Sequence, residues 1–149
     1  AGLPAALYAD VLRKTNRRRT CLRVVKTFLI DSISAITAEM AGQIVVSGSH
    51  GGISAAHLAL AHAPALAIFN DAGMGLDDAG IRGLQVLDAA GVAAIVVSHN
   101  TAHIGEAAST LETGIVSAVN GVASQSGLLT GQSCRAAISF FLKRPLDKG

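Results

Sequence analysis

From Gln43 onward the chain alternates between short apolar runs and segments of helical period. "QIVVS" (43–47) reads as a buried strand, "GSHGG" (48–52) as a loop, and "ISAAHLALAHA" (53–63) as a helix stopped around Pro64. The pattern then repeats: strand "ALAIFN" (65–70), loop "DAGMGLD" (71–77), helix "DAGIRGLQVLDAA" (78–90), a stop at Gly91, and strand "VAAIVVS" (92–98). Upstream, "LRVVKTFLI" (22–30) is β-branched and ends at Asp31-Ser32, which marks a first strand. Residues 31–42 barely supply the dozen or so residues of a parallel crossover, so a crossover and a hairpin-like return both remain open there. Downstream, "HNTAHIGEAAST" (99–110) reads as a loop or helix start, 109–124 as helical, "GLLTGQ" (127–132) as a turn and "SCRAAISFFLK" (133–143) as a last helix.

Apolar strands that alternate with helices and end in polar loops indicate a parallel sheet covered on both faces, with right-handed crossovers. The expected fold class is therefore α/β: a three-layer, mostly parallel, Rossmann-like or flavodoxin-like sheet with helices on both faces. The expected organisation is a basic N-terminal helical arm (1–21, with a helix over 3–14), one domain (22–142) and a short tail (143–149). A chain of 149 residues has the size of one domain. Half its residues are apolar, with only four Phe and one Tyr, which suits close-packed Ala-rich helices on a Val/Ile sheet.

Charge divides the chain. Arg13, Lys14, Arg17, Arg18, Arg19, Arg23 and Lys26 supply seven of the twelve basic residues, whereas from 27 to 142 only Arg82 and Arg135 face eight carboxylates. Clustered Arg suits phosphate, but no aromatics interleave "RKTNRRR", so nucleic acid is not the expected partner and a solvated helix end or a contact with a neighbouring acidic subunit is. No apolar run approaches the ~20 residues of a membrane span, and none resembles a signal-peptide core, which sets the expectation of no membrane partner and a cytoplasmic setting. Cys21 and Cys134 have no zinc-finger or CxxC spacing and are expected to be buried, inert thiols. An Ala-rich chain of this size often gains burial by self-association, so a homo-oligomer is expected.

In parallel sheets ligands bind beyond the carboxyl ends of the strands, which converts the loops into a map of candidate chemistry. The tip after 43–47 holds Ser47, Gly48, Ser49, His50, Gly51 and Gly52. Its glycines permit close backbone approach, and the following helix aims free N–H groups at it, which suits a carboxylate, phosphate or oxyanion. It matches neither GxxxxGK[ST], GxGxxG nor GxSxG, so no nucleotide cofactor or nucleophile elbow is spelled out. The same residues also suit a plain strand-to-helix turn capped by Ser49.

The second tip is Asn70-Asp71-Ala72-Gly73. Asp71 closes an apolar strand and suits a base, a cation ligand or the orienting partner of a histidine, or else an Asx-turn; Asp77 and Asp78 suit capping of the next helix. The third tip carries Ser98, His99, Asn100 and His103. The i, i+4 histidines would share a helix face, but no HExxH glutamate lies between them. His57 and His62 fall on a helix and read as structural.

The expected constellation has His50 or His99 as general base, Asp71 as its orienting carboxylate, and Ser49 or Ser98 as nucleophile or donor. Ser47, Gly48, Gly51, Gly52, Asn70, Gly73, Asn100 and His103 would bind substrate. The leading reading is a small-molecule enzyme, a hydrolase of an amide, ester or related carbonyl, with an anionic or carbonyl-containing substrate and no cofactor; a lyase or isomerase would use the same groups. The alternatives are a divalent-metal enzyme using Asp31, Asp71 and His99 or His103, and a non-catalytic binding or assembly domain.

Overall fold

A computed structural model describes residues 25–143. The expected arm with its basic run, Cys21 and the tail beyond Lys143 lie outside the described residues. The described chain is α/β: a five-stranded sheet in the order β1 (Thr27–Ile30), β2 (Ile44–His50), β3 (Leu66–Asn70), β4 (Ala93–Val97) and β5 (Val116–Val119). β1 to β4 are parallel and β5 is antiparallel to β4.

Side-chain alternation divides each central strand between two cores. Val45, Ala67, Phe69, Ala94 and Val96 face one way and meet Ala55, Ala56 and Ala59 of α1 (Ile53–Leu60) and Leu84 and Leu87 of α2 (Gly83–Ala89). Ile44, Val46, Leu66, Ile68, Ile95 and Val97 face the other way. They meet Leu111 of α3 (Ala107–Thr113), Ala123 of α4 (Gly121–Gln125), and Cys134, Ala137, Ile138 and Phe141 of α5 (Cys134–Lys143). Each large side chain buried this way contributes roughly 1.5–3 kcal/mol, so the two-faced apolar strands dominate the folding energy. Cys134 is fully buried, and burial pushes its thiol up to about 12 despite the nearby Arg135 charge, which makes it a packing group.

One open alternative is decided and three local expectations are corrected. Residues 31–42 form a parallel crossover and not a hairpin return: two 3-10 turns, Ile33–Ala35 and Ala38–Met40, bury Ile33 and Met40 and carry the chain from β1 to β2 without a full helix. "GSHGG" is not all loop, because β2 continues through Gly48 and Ser49 to His50. The segment 78–90 is helical only from Gly83, preceded by a 3-10 turn at Leu76–Asp78. Most consequential, 109–124 is not one helix, because α3 ends at Thr113 and β5 follows. Ile115, Val116 and Val119 occur at spacings that fit a helix in isolation, and pairing with β4 overrides that local pattern.

The path after β4 covers much of the sheet's carboxyl edge. Residues 98–106 form no helix and run back across the strand ends: Asn70 Nδ2 donates to the Ala102 carbonyl over β3, Gly105 N–H donates to the Gly48 carbonyl over β2, and Ala107 N–H donates to Asp31 Oδ1 at the end of β1. This strap delivers α3 to the second face. β5 begins where β4 ends, with Ser98 N–H donating to the Ile115 carbonyl, and so runs antiparallel.

Candidate functional site

The strap closes the tip of β2. Gly48 donates its N–H to the Asp31 carbonyl, and Gly51 donates to the Asn70 carbonyl. A Cβ on Gly48 would overlap the Glu106 nitrogen and the Gly105 carbonyl carbon, so this glycine is required by backbone-to-backbone contact. Pairing with β3 is irregular between Val46 and His50, and in that stretch the buried Ser47 hydroxyl donates to the Ile68 carbonyl at 2.9 Å. Ser49 Oγ accepts from Ile33 N–H at 2.9 Å, tying down the first 3-10 turn. His50 is exposed and its ring lies against Gly52, the N-cap of α1, which makes no side-chain capping bond.

The second and third tips converge instead. Asp71 turns its carboxylate across the end of β4. Its Oδ1 accepts from Gly73 N–H at 2.8 Å and His99 N–H at 3.0 Å, and its Oδ2 accepts from the Ser117 hydroxyl at 2.7 Å. The His99 ring stands beside it, with Nδ1 at 3.4 Å from Oδ1 and a side chain 48% exposed against 5% for Asp71. That separation is an ion-pair contact when the imidazole is protonated and longer than a hydrogen bond. Burial pushes the Asp71 carboxyl up, but the bonds from Ser117, Gly73 and His99, with the His99 charge, outweigh it and hold the group below its ordinary 3.8.

The loop that carries Asp71 is bent sharply. Asn70 Oδ1 accepts from Ala72 N–H at 2.7 Å, so Asn70 and Asp71 each close an Asx-turn. Ala72, Gly73, Met74 and Gly75 all take positive φ, as do Asp77 and Asp78. Among the described residues these four non-glycine residues are the ones in the left-handed region, each at a cost of about 1–2 kcal/mol. Backbone strain of this kind persists where the surroundings over-determine it, and here it surrounds Asp71.

Ser98 Oγ accepts from Asn100 N–H at 3.2 Å and closes the turn that presents His99. Asn100 is exposed beside it. His103 sits on the strap, its N–H bonded to Ser109 Oγ, so the i, i+4 spacing to His99 is not realised on a helix face. Asp77 and Asp78 do not cap α2, whose N-cap, Arg82, makes no side-chain capping bond. Asp31 caps α3, and among the described residues no three His, Cys, Asp or Glu side chains gather to hold a metal ion.

Ser117 is the member that sequence reasoning missed. Its signal was a lone serine among apolar residues in "IVSAV", readable only once 116–119 is a strand. A groove of about 540 Å³ lies on the neighbouring flank between α2 and residues 118–121; neither Asp71 nor His99 lines it. Among the described residues no helix is long and apolar enough to cross a membrane.

The fold and this site define an α/β domain with a histidine–carboxylate pair at the carboxyl edge of its parallel strands. No protein-family model, no curated protein and no solved structure matches the chain.

Proposed function

We propose that the protein is a small-molecule acid/base enzyme, a hydrolase of an amide, ester or related carbonyl, in which His99 moves the proton and Asp71 orients it. One observation carries this reading: a half-exposed imidazole stands against a buried carboxylate held by three donors, beyond the carboxyl ends of β3 and β4. With Nδ1 turned toward Asp71, His99 Nε2 is the nitrogen left for substrate or water. A neutral imidazole so held takes a proton from an attacking water and returns it to the leaving group.

The nucleophile in this reading is water and not a serine, because the oxygens of Ser47, Ser49 and Ser98 are each engaged by backbone groups of the fold. Asp71 is the orienting group and not the base, since both its oxygens already accept hydrogen bonds. The exposed Asn100 amide is the donor assigned to the substrate carbonyl, and the Gly73 backbone forms the floor beneath the imidazole. A homo-oligomer and a cytoplasmic setting belong to the same reading; exposed Leu129, Phe140 and Leu142 favour self-association, which light scattering on the purified protein checks.

The test is turnover of a panel of small carboxylate-bearing amides, esters and lactones by the wild type and by His99→Gln. Removal of the acid/base group is expected to lower kcat by about 10²–10⁴ while leaving the melting temperature in place. Equal turnover by the two proteins on every hydrolysed compound would sink the assignment.

A further inference from the structure

Ser117 occupies an unusual position on β5. Val97 pairs with Val116 and Val96 with Ala118, so one step along β4 spans two along β5, and Ser117 is the extra residue of a β-bulge. Packing shows the same irregularity. Val116 enters the core on the α3 and α5 side, whereas Ala118 packs against the opposite core, although residues two apart on an unbroken strand share a face. The bulge aims the Ser117 hydroxyl at Asp71.

The two oxygens of Asp71 are thereby divided. Oδ1 accepts from Gly73 and His99 N–H and faces His99 Nδ1, while Oδ2 accepts from Ser117. The terminal torsion of an aspartate is broad and twofold, so contacts on one oxygen alone leave the carboxylate plane loosely set. A charge-assisted bond of 2.7 Å on the far oxygen pins it. We propose that Ser117 is a positioning residue, whose bond to Oδ2 sets the plane of the Asp71 carboxylate so that Oδ1 faces the His99 imidazole. This rests on the acid/base reading of His99 and adds a residue from a third strand to it. Ser117 donates its proton to an ionised carboxylate, which leaves its oxygen unactivated and separates its role from that of a nucleophile. The charge that bears on Asp71 is that of His99, and the groups from Gly73 and Ser117 are neutral.

The experiment follows two resonances by NMR in the wild type, Ser117→Ala and Ser117→Thr: the Asp71 carboxyl carbon through its titration, and His99 Nδ1 at a pH where the ring is neutral. In Ser117→Ala the Asp71 titration is expected to move up toward the ordinary carboxylate range. The Nδ1 signal is expected to move toward its unprotonated position as the tautomer preference weakens. Ser117→Thr, which keeps the hydroxyl, restores both. Unchanged resonances in Ser117→Ala, or a threonine variant that behaves like alanine, would overturn the proposal. If the alanine variant does not fold, Ser117→Cys replaces it, keeping the shape with a weak donor and carrying the same two expectations. No substrate is needed, so this outcome stands apart from the turnover of His99→Gln that decides the acid/base reading.

Discussion

The tips of β2 and β4 look alike as sequence, each a serine followed within three residues by a histidine at the exit of an apolar strand, yet they differ in where their polar groups point. At β2 all but the exposed His50 ring are spent on the fold: Ser47 holds the Ile68 carbonyl, Ser49 the Ile33 amide, Gly48 the Asp31 carbonyl and Gly51 the Asn70 carbonyl. At β4 the Ser98 turn leaves His99 half exposed over a carboxylate sent from the neighbouring strand. A glycine-rich polar tip therefore has two physical explanations, close backbone approach and ligand access. The fate of its N–H groups separates them. The strap makes the difference here, because it crosses the ends of β3 and β2 on its way to α3 and leaves the His99 ring at the end of β4 half exposed.

The sharpest way to break the comparison is Gly48→Ala. A methyl group there meets the strap backbone, which has no flexible end to move aside, so a loss of about 3 kcal/mol in folding stability is expected, read from the urea midpoint. A stability within error of the wild type would mean that the strap is loosely held and the β2 tip open.

Asp71→Asn tests the other tip and costs less, about 2 kcal/mol, by weakening hydrogen bonds to a charged acceptor. Its mark is a change in pH dependence. The folded state holds the Asp71 carboxyl below its ordinary 3.8, so ionised Asp71 contributes stability that is present above that value and lost as the pH falls through the lower folded value. The variant should lack that part of the acid slope. Parallel stability curves for the two proteins across this window would show that the carboxylate is not held as described.

The two-faced strands β2, β3 and β4 were legible because each is a continuous apolar run bounded by turn residues, a pattern that needs no tertiary information. The placing of Asp71, His50 and His99 at one edge was legible too, since it follows from parallel strands and their polar ends, but which histidine meets the carboxylate was left open. What stayed hidden depends on contacts remote in sequence. β5 has too few residues to outweigh a helical period locally, and Ser117 acquires meaning only through the bulge that β4 imposes. Gly48 reads as a ligand loop until the strap, more than fifty residues away, is laid over it. Asp31 showed itself as a strand-ending carboxylate, but its partner is the first amide of α3, 76 positions later.

The smallest effects sharpen the contrast inside the β2 tip itself. Ser49→Ala removes the acceptor of the Ile33 amide and should cost about 1 kcal/mol, because that turn carries the buried Ile33 side chain into the core beneath α1. His50→Ala, one residue on, removes an exposed ring that packs on Gly52 and should change stability by no more than about 0.5 kcal/mol. Turnover of any compound that His99→Gln fails to hydrolyse should also survive His50→Ala. A His50 variant that keeps its fold and loses that turnover would place chemistry at the β2 tip and remove the division drawn between the two histidines.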